Sequence, residues 1–262
     1  MTVFKHEMRQ NRNSLIIWTA VIAFLLVICV IMYPLMKTEA EALGDMFSNM
    51  GDFTAAFGMD RLDIGTLIGF YGIESGNIIG IGGALFAALM GISALAKEER
   101  DHTAEFLLSH PISRARLVSE KLLALIAQIV ILNLVIFAAA LISIRAIGED
   151  IELRPLFLMH IAFFLLQIQI GTICFGISAY LRKGGVGLGL GLAMILYFLN
   201  IISNISEKAE FLKYITPFSY ADPSNIIANL KLDGTLLAIG FIYAALGVFE
   251  AYLKYTKKDI SI

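Results

Sequence analysis

Apolar positions in this sequence gather into long runs separated by charged clusters, with no sustained alternation of apolar and polar residues. Six runs stand at about residues 14–35, 77–96, 122–144, 156–181, 184–205 and 235–253. Each is close to the roughly 20 residues with which an α-helix crosses a hydrocarbon core. A chain in lipid must satisfy its backbone polar groups internally, and a helix does so within one segment. The pattern predicts an all-α, polytopic membrane protein. A six-span domain covers residues 14–253, an amphipathic N-terminal helix residues 1–13 and a polar tail residues 254–262. The first run follows a basic segment, as a signal peptide would. It is too long for such a peptide and no small-residue cleavage site follows it, so it is read as a retained first span.

Composition agrees. Of 262 residues 58% are hydrophobic and 16% charged, against about 45–50% and about 25% in soluble domains. A net charge of −2 gives no reason to expect a nucleic-acid partner, and membrane lipid is the expected surrounding. Cys29 and Cys174 both lie inside apolar runs, as small buried hydrophobes do.

Charge placement orients the chain. Lys5, Arg9 and Arg12, then Lys97, Arg100, Arg114, Arg116 and Lys121, then Arg182 and Lys183, then Lys254, Lys257 and Lys258 make thirteen cations on one set of flanks. The other flanks hold seven, in longer loops. The positive-inside rule therefore predicts both termini in the cytoplasm of a cell whose plasma membrane the chain spans. On the outside, residues 62–73 (LDIGTLIGFYGI) are apolar but interrupted before Glu74, as in a helix lying at the interface. Residues 207–232 read as two short helices broken by Pro217 and Pro223, with Tyr214, Phe218 and Tyr220 at headgroup level.

The stretch 97–121 (KEERDHTAEFLLSHPISRARLVSEK) is the most charged of the chain. Thr103 can cap a helix over residues 104–109, Pro111 ends it, and Ser113 can cap the helix that becomes the third span. A helix so short cannot bury Phe106, Leu107 and Leu108 by itself. They pack on the bundle, rest among headgroups or dock on a partner, and the residues alone leave these open.

The run Glu98-Glu99, Thr103, Glu105, Leu107-Leu108, Pro111-Ile112-Ser113-Arg114 and Lys121 resembles the first cytoplasmic loop of type-2 ABC exporter permeases. Their pattern is a glutamate pair, Thr-x-Glu, Leu-Leu, Pro-Ile-Ser-Arg and a lysine heading the third span. The likeness extends over nearly the whole chain, through the basic opening FKHEMRQNRNSLIIW, the six spans, the large first outer loop and the closing Lys257-Lys258-Asp259-Ile260. One departure is Asp101-His102 before Thr103, where a glycine is common. The resemblance implies a permease that works as a dimer with a second copy or a paralogue. A separate cytoplasmic ABC ATPase, carrying ATP and Mg, would drive it. In that scheme Glu98, Glu99 and Arg100 hold the loop by ion pairs. Phe106, Leu107 and Leu108 fill a groove on the ATPase, within a coupling segment that also takes in Thr103, Glu105, Pro111 and Arg114.

Nothing in the chain supplies the energy. No G-x-x-x-x-G-K-[ST] run occurs, so no nucleotide cofactor is expected on this chain and it is not read as an enzyme. The glycine run at Gly185, Gly187, Gly189 and Gly191 opens an apolar helix and follows no strand, as a packing face would. With Gly76, Gly80 and Gly83 it lets backbones approach closely, within one subunit or between two. His6, His102, His110 and His160 lack the i, i+4 spacing of a helical metal site, so no metal is expected. The spans hold almost no ionisable residues. Their amides (Asn77, Gln128, Asn133, Gln167, Gln169, Asn200, Asn204) bond between helices or line a route. Asn200 and Asn204, one turn apart, are the pathway candidates. A passive channel or a non-transporting scaffold is the alternative reading.

Overall fold

The computed structural model describes residues 2–39, 51, 54, 56, 58–59, 61–100, 112–182 and 184–258, without the side chains of Glu98 and Arg100. It is all-helical, with no strand among the described residues. Six helices are long and apolar enough to cross a membrane. They are Arg12–Thr38 (span 1), Leu67–Ser93 (span 2), Arg114–Ala146 (span 3), Leu153–Ser178 (span 4), Val186–Ile205 (span 5) and Gly234–Lys257 (span 6). A short helix, Thr2–Gln10, precedes them.

Spans 2 and 4 form the centre. In each, 61% of the most apolar window is buried, against 22% in spans 5 and 6. The outer spans turn residues such as Phe24, Ile195 and Phe249 outward, as expected where lipid tails solvate them. Packing in lipid depends on close backbone approach, because burying a leucine away from lipid gains little. Span 4 carries the small residues for it. Its Gly176 meets the backbone of Gly247 in span 6, and a Cβ added at Gly247 would lie 2.7 Å from the Thr172 carbonyl oxygen.

Several amides of the spans bond between helices. Asn133 Nδ2 of span 3 donates to Gln167 Oε1 of span 4 at 2.6 Å, and Gln167 Nε2 reaches the Ile79 carbonyl of span 2 at 3.5 Å. Tyr197 OH of span 5 donates to Asn77 Oδ1 of span 2 at 3.2 Å. Such bonds are worth about 0.6 and up to about 1.7 kcal/mol each. His160 also sits in a helix contact, with Nε2 2.7 Å from Tyr71 OH.

Span 2 differs from its apolar run. It begins at Leu67, where the Thr66 hydroxyl caps it by accepting from Gly69 N. It then runs unbroken through one stretch of π-helix, Gly76–Ile81. The wider turn lies where Gly76 faces Pro223 and where Asn77 Nδ2 donates back to the Ile73 carbonyl at 3.2 Å. The second half of the segment read as interfacial is thus the first part of a span, which puts Glu74 inside one. Proline 223 likewise opens a helix, Pro223–Asn229, capped by Asp222, rather than breaking one. Phe218 and Tyr220 are buried under it, Tyr220 OH donating to Gln169 Oε1 at 2.9 Å, while Tyr214 stays exposed.

Candidate functional site

Both described ends of the chain lie at one end of the bundle, and there the helix starts are tied together by buried charge. Span 3 has 33 residues, about 50 Å at 1.5 Å per residue, so its first turns project past a hydrocarbon core of about 30 Å. Ser113 caps it, its hydroxyl accepting from Arg116 N at 3.3 Å. The Thr2–Gln10 helix lies against these projecting turns. Its face with Val3 and Glu7, one turn apart, is the buried one.

Glu7 is 3% exposed and sits between two ammonium groups. Lys97 Nζ lies 2.5 Å from Oε2 and Lys121 Nζ 2.9 Å from Oε1. Lys97 also donates to Gln10 Oε1 at 2.7 Å, and Lys121 to the Ala94 carbonyl at 2.6 Å. Burial pushes the Glu7 carboxyl up. The charges of Lys121 and Lys97, with their hydrogen bonds, outweigh that and hold its pKa below the ordinary 4.5. Beside it the Phe4 N–H donates to Glu120 Oε2 at 3.1 Å, and Arg116 Nε to Glu120 Oε1 at 3.0 Å.

A second tie joins the loop after span 2 to the far end of the chain. Lys258 Nζ lies 2.6 Å from Glu99 Oε1, an ion pair, and donates a hydrogen bond to the Leu181 carbonyl at 2.7 Å. Arg114 Nη1 donates to the carbonyl of Lys258 at 2.6 Å and to that of Thr256 at 3.3 Å. The segment that leaves span 2 at Lys97 and the one that returns at Arg114 are therefore gripped on one side by the N-terminal helix and on the other by the end of span 6.

Among the candidates from the sequence, Glu99 and Arg114 stand in this framework. Glu98 and Arg100 lie in the short helix Lys97–Arg100. Thr103, Glu105, Phe106, Leu107, Leu108 and Pro111 lie outside the described residues. Glu7 was not singled out from the sequence. Its signal is that of the one acid in an otherwise basic helix, placed on the face that Val3 begins.

The opposite end holds a polar cavity of about 830 Å³, lined among others by Arg61, Asn204, Lys213, Asn225, Lys231 and Asp233. Asp222 stands beside two of its lining residues, Asn204 and Arg61. Its Oδ1 accepts from Ser224 N and Oγ at 2.9 and 2.7 Å, and Asn204 Nδ2 and Arg61 approach Oδ2 at 3.5 and 3.8 Å. At the rim, a hydrogen bond from Lys213 holds the exposed Glu210 carboxyl below its ordinary range. Asn204 also lines a smaller crevice, of about 50 Å³, that runs behind the π-helix to Asn77, Tyr197 and Asn200. Asn200 Oδ1 is buried there with no hydrogen-bond partner among the described residues. The two asparagines thus follow one polar line inward from the cavity.

The glycines separate into two sets. Gly76, Gly80 and Gly83 face Pro223, Phe163 and Gln167 of the same chain, and Gly185 and Gly189 face Ile92. A Cβ at Gly189 would lie 2.7 Å from Ile92 Cγ2, whereas Gly187 and Gly191 have nothing within 4 Å of theirs.

The family model described as ABC-2 family transporter protein matches residues 1–260 of the chain. Comparison with curated proteins finds no match.

Proposed function

The chain belongs to the ABC-2 family of transporter proteins, and we propose from that premise that it is the membrane half of an exporter whose ATP hydrolysis takes place on a separate cytoplasmic subunit. Two permeases, two copies of this chain or this chain and a paralogue, pair in the plasma membrane with their termini in the cytoplasm. ATP and Mg sit on the partner ATPase.

The observation that carries this reading is the double grip on the loop after span 2. A loop that transmits force must not yield where it joins the bundle. Here Lys97 is locked to Glu7 and Gln10, Glu99 to Lys258 and Arg114 to the Lys258 carbonyl. Buried charges in mutual contact resist separation, because pulling one away leaves the other uncompensated in a low dielectric. The loop's apolar residues Phe106, Leu107 and Leu108 then form the contact with the ATPase. Closure of the ATPases tilts loop, N-terminal helix, the end of span 2 and the head of span 3 as one body. The free Gly187 and Gly191 on span 5 suit a seam between two permeases. The line from Asn200 through Asn204 to the large cavity suits the outer part of a polar route.

The test is purification of the C-terminally tagged protein from its native membrane. A soluble P-loop ATPase should come with it in stoichiometric amount, and Leu107→Asp with Leu108→Asp should release that partner. A protein that comes alone, with hydrolysis at background after candidate ATPases are added, contradicts the proposal.

A further inference from the structure

Span 2 has 27 residues, about 40 Å of helix at 1.5 Å per residue. Glu74 stands about 10 Å from its outer start, so in a hydrocarbon core of about 30 Å centred on the helix it lies about 5 Å inside the boundary. Acids at such depth are costly and rare, and they mark ligand or ion routes when no structural partner accounts for them. The hydrogen-bond partner of Glu74 is a weak donor, the thiol of Cys29 in span 1, with Sγ 3.6 Å from Oε2. Among the described residues no cation forms an ion pair with it, in contrast to Glu7 and Glu99 at the other end.

The carboxylate is half-buried and lies on the strip of span 2 that the chain's own helices cover least. Ile78, Leu85 and Leu89 continue that strip at helical spacing, all three partly exposed. Span 1 flanks it where Ile22 meets Gly82, and span 5 flanks it where Gly189 meets Ala88 and Ile92. One acid therefore heads a partly exposed apolar strip flanked by spans 1 and 5.

We propose that this strip binds amphipathic organic cations, with the positive group at Glu74 and the apolar body along Ile78, Leu85 and Leu89. The inference rests on the exporter reading and names its substrate class. The missing counter-charge comes with the ligand, which gains the Coulomb attraction of a low-dielectric setting that a neutral or anionic molecule cannot use. The adjoining π-helix, a distortion frequent at functional sites, sets the helix turn directly below the carboxylate.

The probe is tetraphenylphosphonium, measured by equilibrium dialysis against the full-length protein in lipid nanodiscs, with protein-free nanodiscs subtracted. Wild type and Glu74→Asp, which keeps the charge, should bind saturably. Glu74→Gln should bind at least tenfold more weakly at unchanged thermal stability, and the bound cation should slow maleimide labelling of Cys29 in wild type. Equal binding by wild type and Glu74→Gln overturns the inference. So does wild-type binding no greater than that of empty nanodiscs. The measurement needs no ATPase. A protein that retains its ATPase partner but fails here remains an exporter with another substrate class, and one that fails in both loses the exporter reading as well.

Discussion

Lys121 and Glu7, 114 residues apart in the chain, are joined by a 2.9 Å ion pair in which the lysine ammonium is fully buried. The pair closes a triangle with Lys97, so one carboxylate answers two ammonium groups, one just past the end of span 2 and one near the head of span 3. A short amphipathic helix that would otherwise rest in headgroups is thereby fixed to the bundle.

Replacing the carboxylate tests that fixation. Glu7→Gln removes the carboxylate that bridges the buried Lys97 and Lys121, and breaking a buried ion pair costs about 3–5 kcal/mol. The expected outcome is release of the Thr2–Gln10 helix. Proteolysis within it should be faster and its amide exchange unprotected, while exchange in the centres of spans 2 and 4 is unchanged.

The same site sets a pH dependence. Glu7 has a folded-state pKa below its ordinary 4.5, so its contribution is complete above about pH 4.5 and is lost as pH falls through the lower folded value. A fluorophore on Lys5→Cys, on the exposed face of this helix, should report undocking on acidification only below about pH 4.5. The Glu7→Gln protein should show no such transition in that range.

Lys258 tests the second tie. Its ammonium holds Glu99 and the Leu181 carbonyl. Lys258→Ala should lower ATP-driven transport severalfold while leaving the amount of protein in the membrane unchanged, and Lys258→Arg should recover most of it. Transport equal to wild type in Lys258→Ala would remove this contact from the transmission path.

The glycines of span 5 predict a split by position. Gly189→Leu drives a side chain into Ile92 and should cost about 1–3 kcal/mol as overpacking, read as a lower melting temperature of the single chain. Gly187→Leu meets open space in the chain. It should leave that temperature in place and weaken pairing of permeases, measured as the dimer fraction in nanodiscs.

Much of this was legible in the sequence because lipid imposes so simple a rule. Six apolar runs gave six spans, and Ser113 caps the third, as its place after the stop at Pro111 suggested. The start of span 2 was hidden because Glu74 and Gly76 interrupt its apolar run, and a π-helix accommodates both within one continuous helix. Phe218 and Tyr220 read as belt aromatics, since an amphipathic ring looks the same whether its polar tip meets water or a buried amide such as Gln169. Glu7 was illegible for a related reason. An acid on the buried face of a helix breaks the amphipathic pattern, and only the lysines of two distant segments explain it. The amides of the spans read as helix–helix bonds or as pathway, and Asn133 bonds between helices while Asn200 does not.

The central claim, that a separate ATPase works this bundle through the loop after span 2, is tested most directly by ATP hydrolysis of the reconstituted complex in nanodiscs. Hydrolysis should depend on the permease, fall to the rate of the ATPase alone in Leu107→Asp with Leu108→Asp, and fall in Glu7→Gln even with the ATPase still bound. Hydrolysis that is the same with wild-type permease, with either variant and with no permease at all would contradict the account.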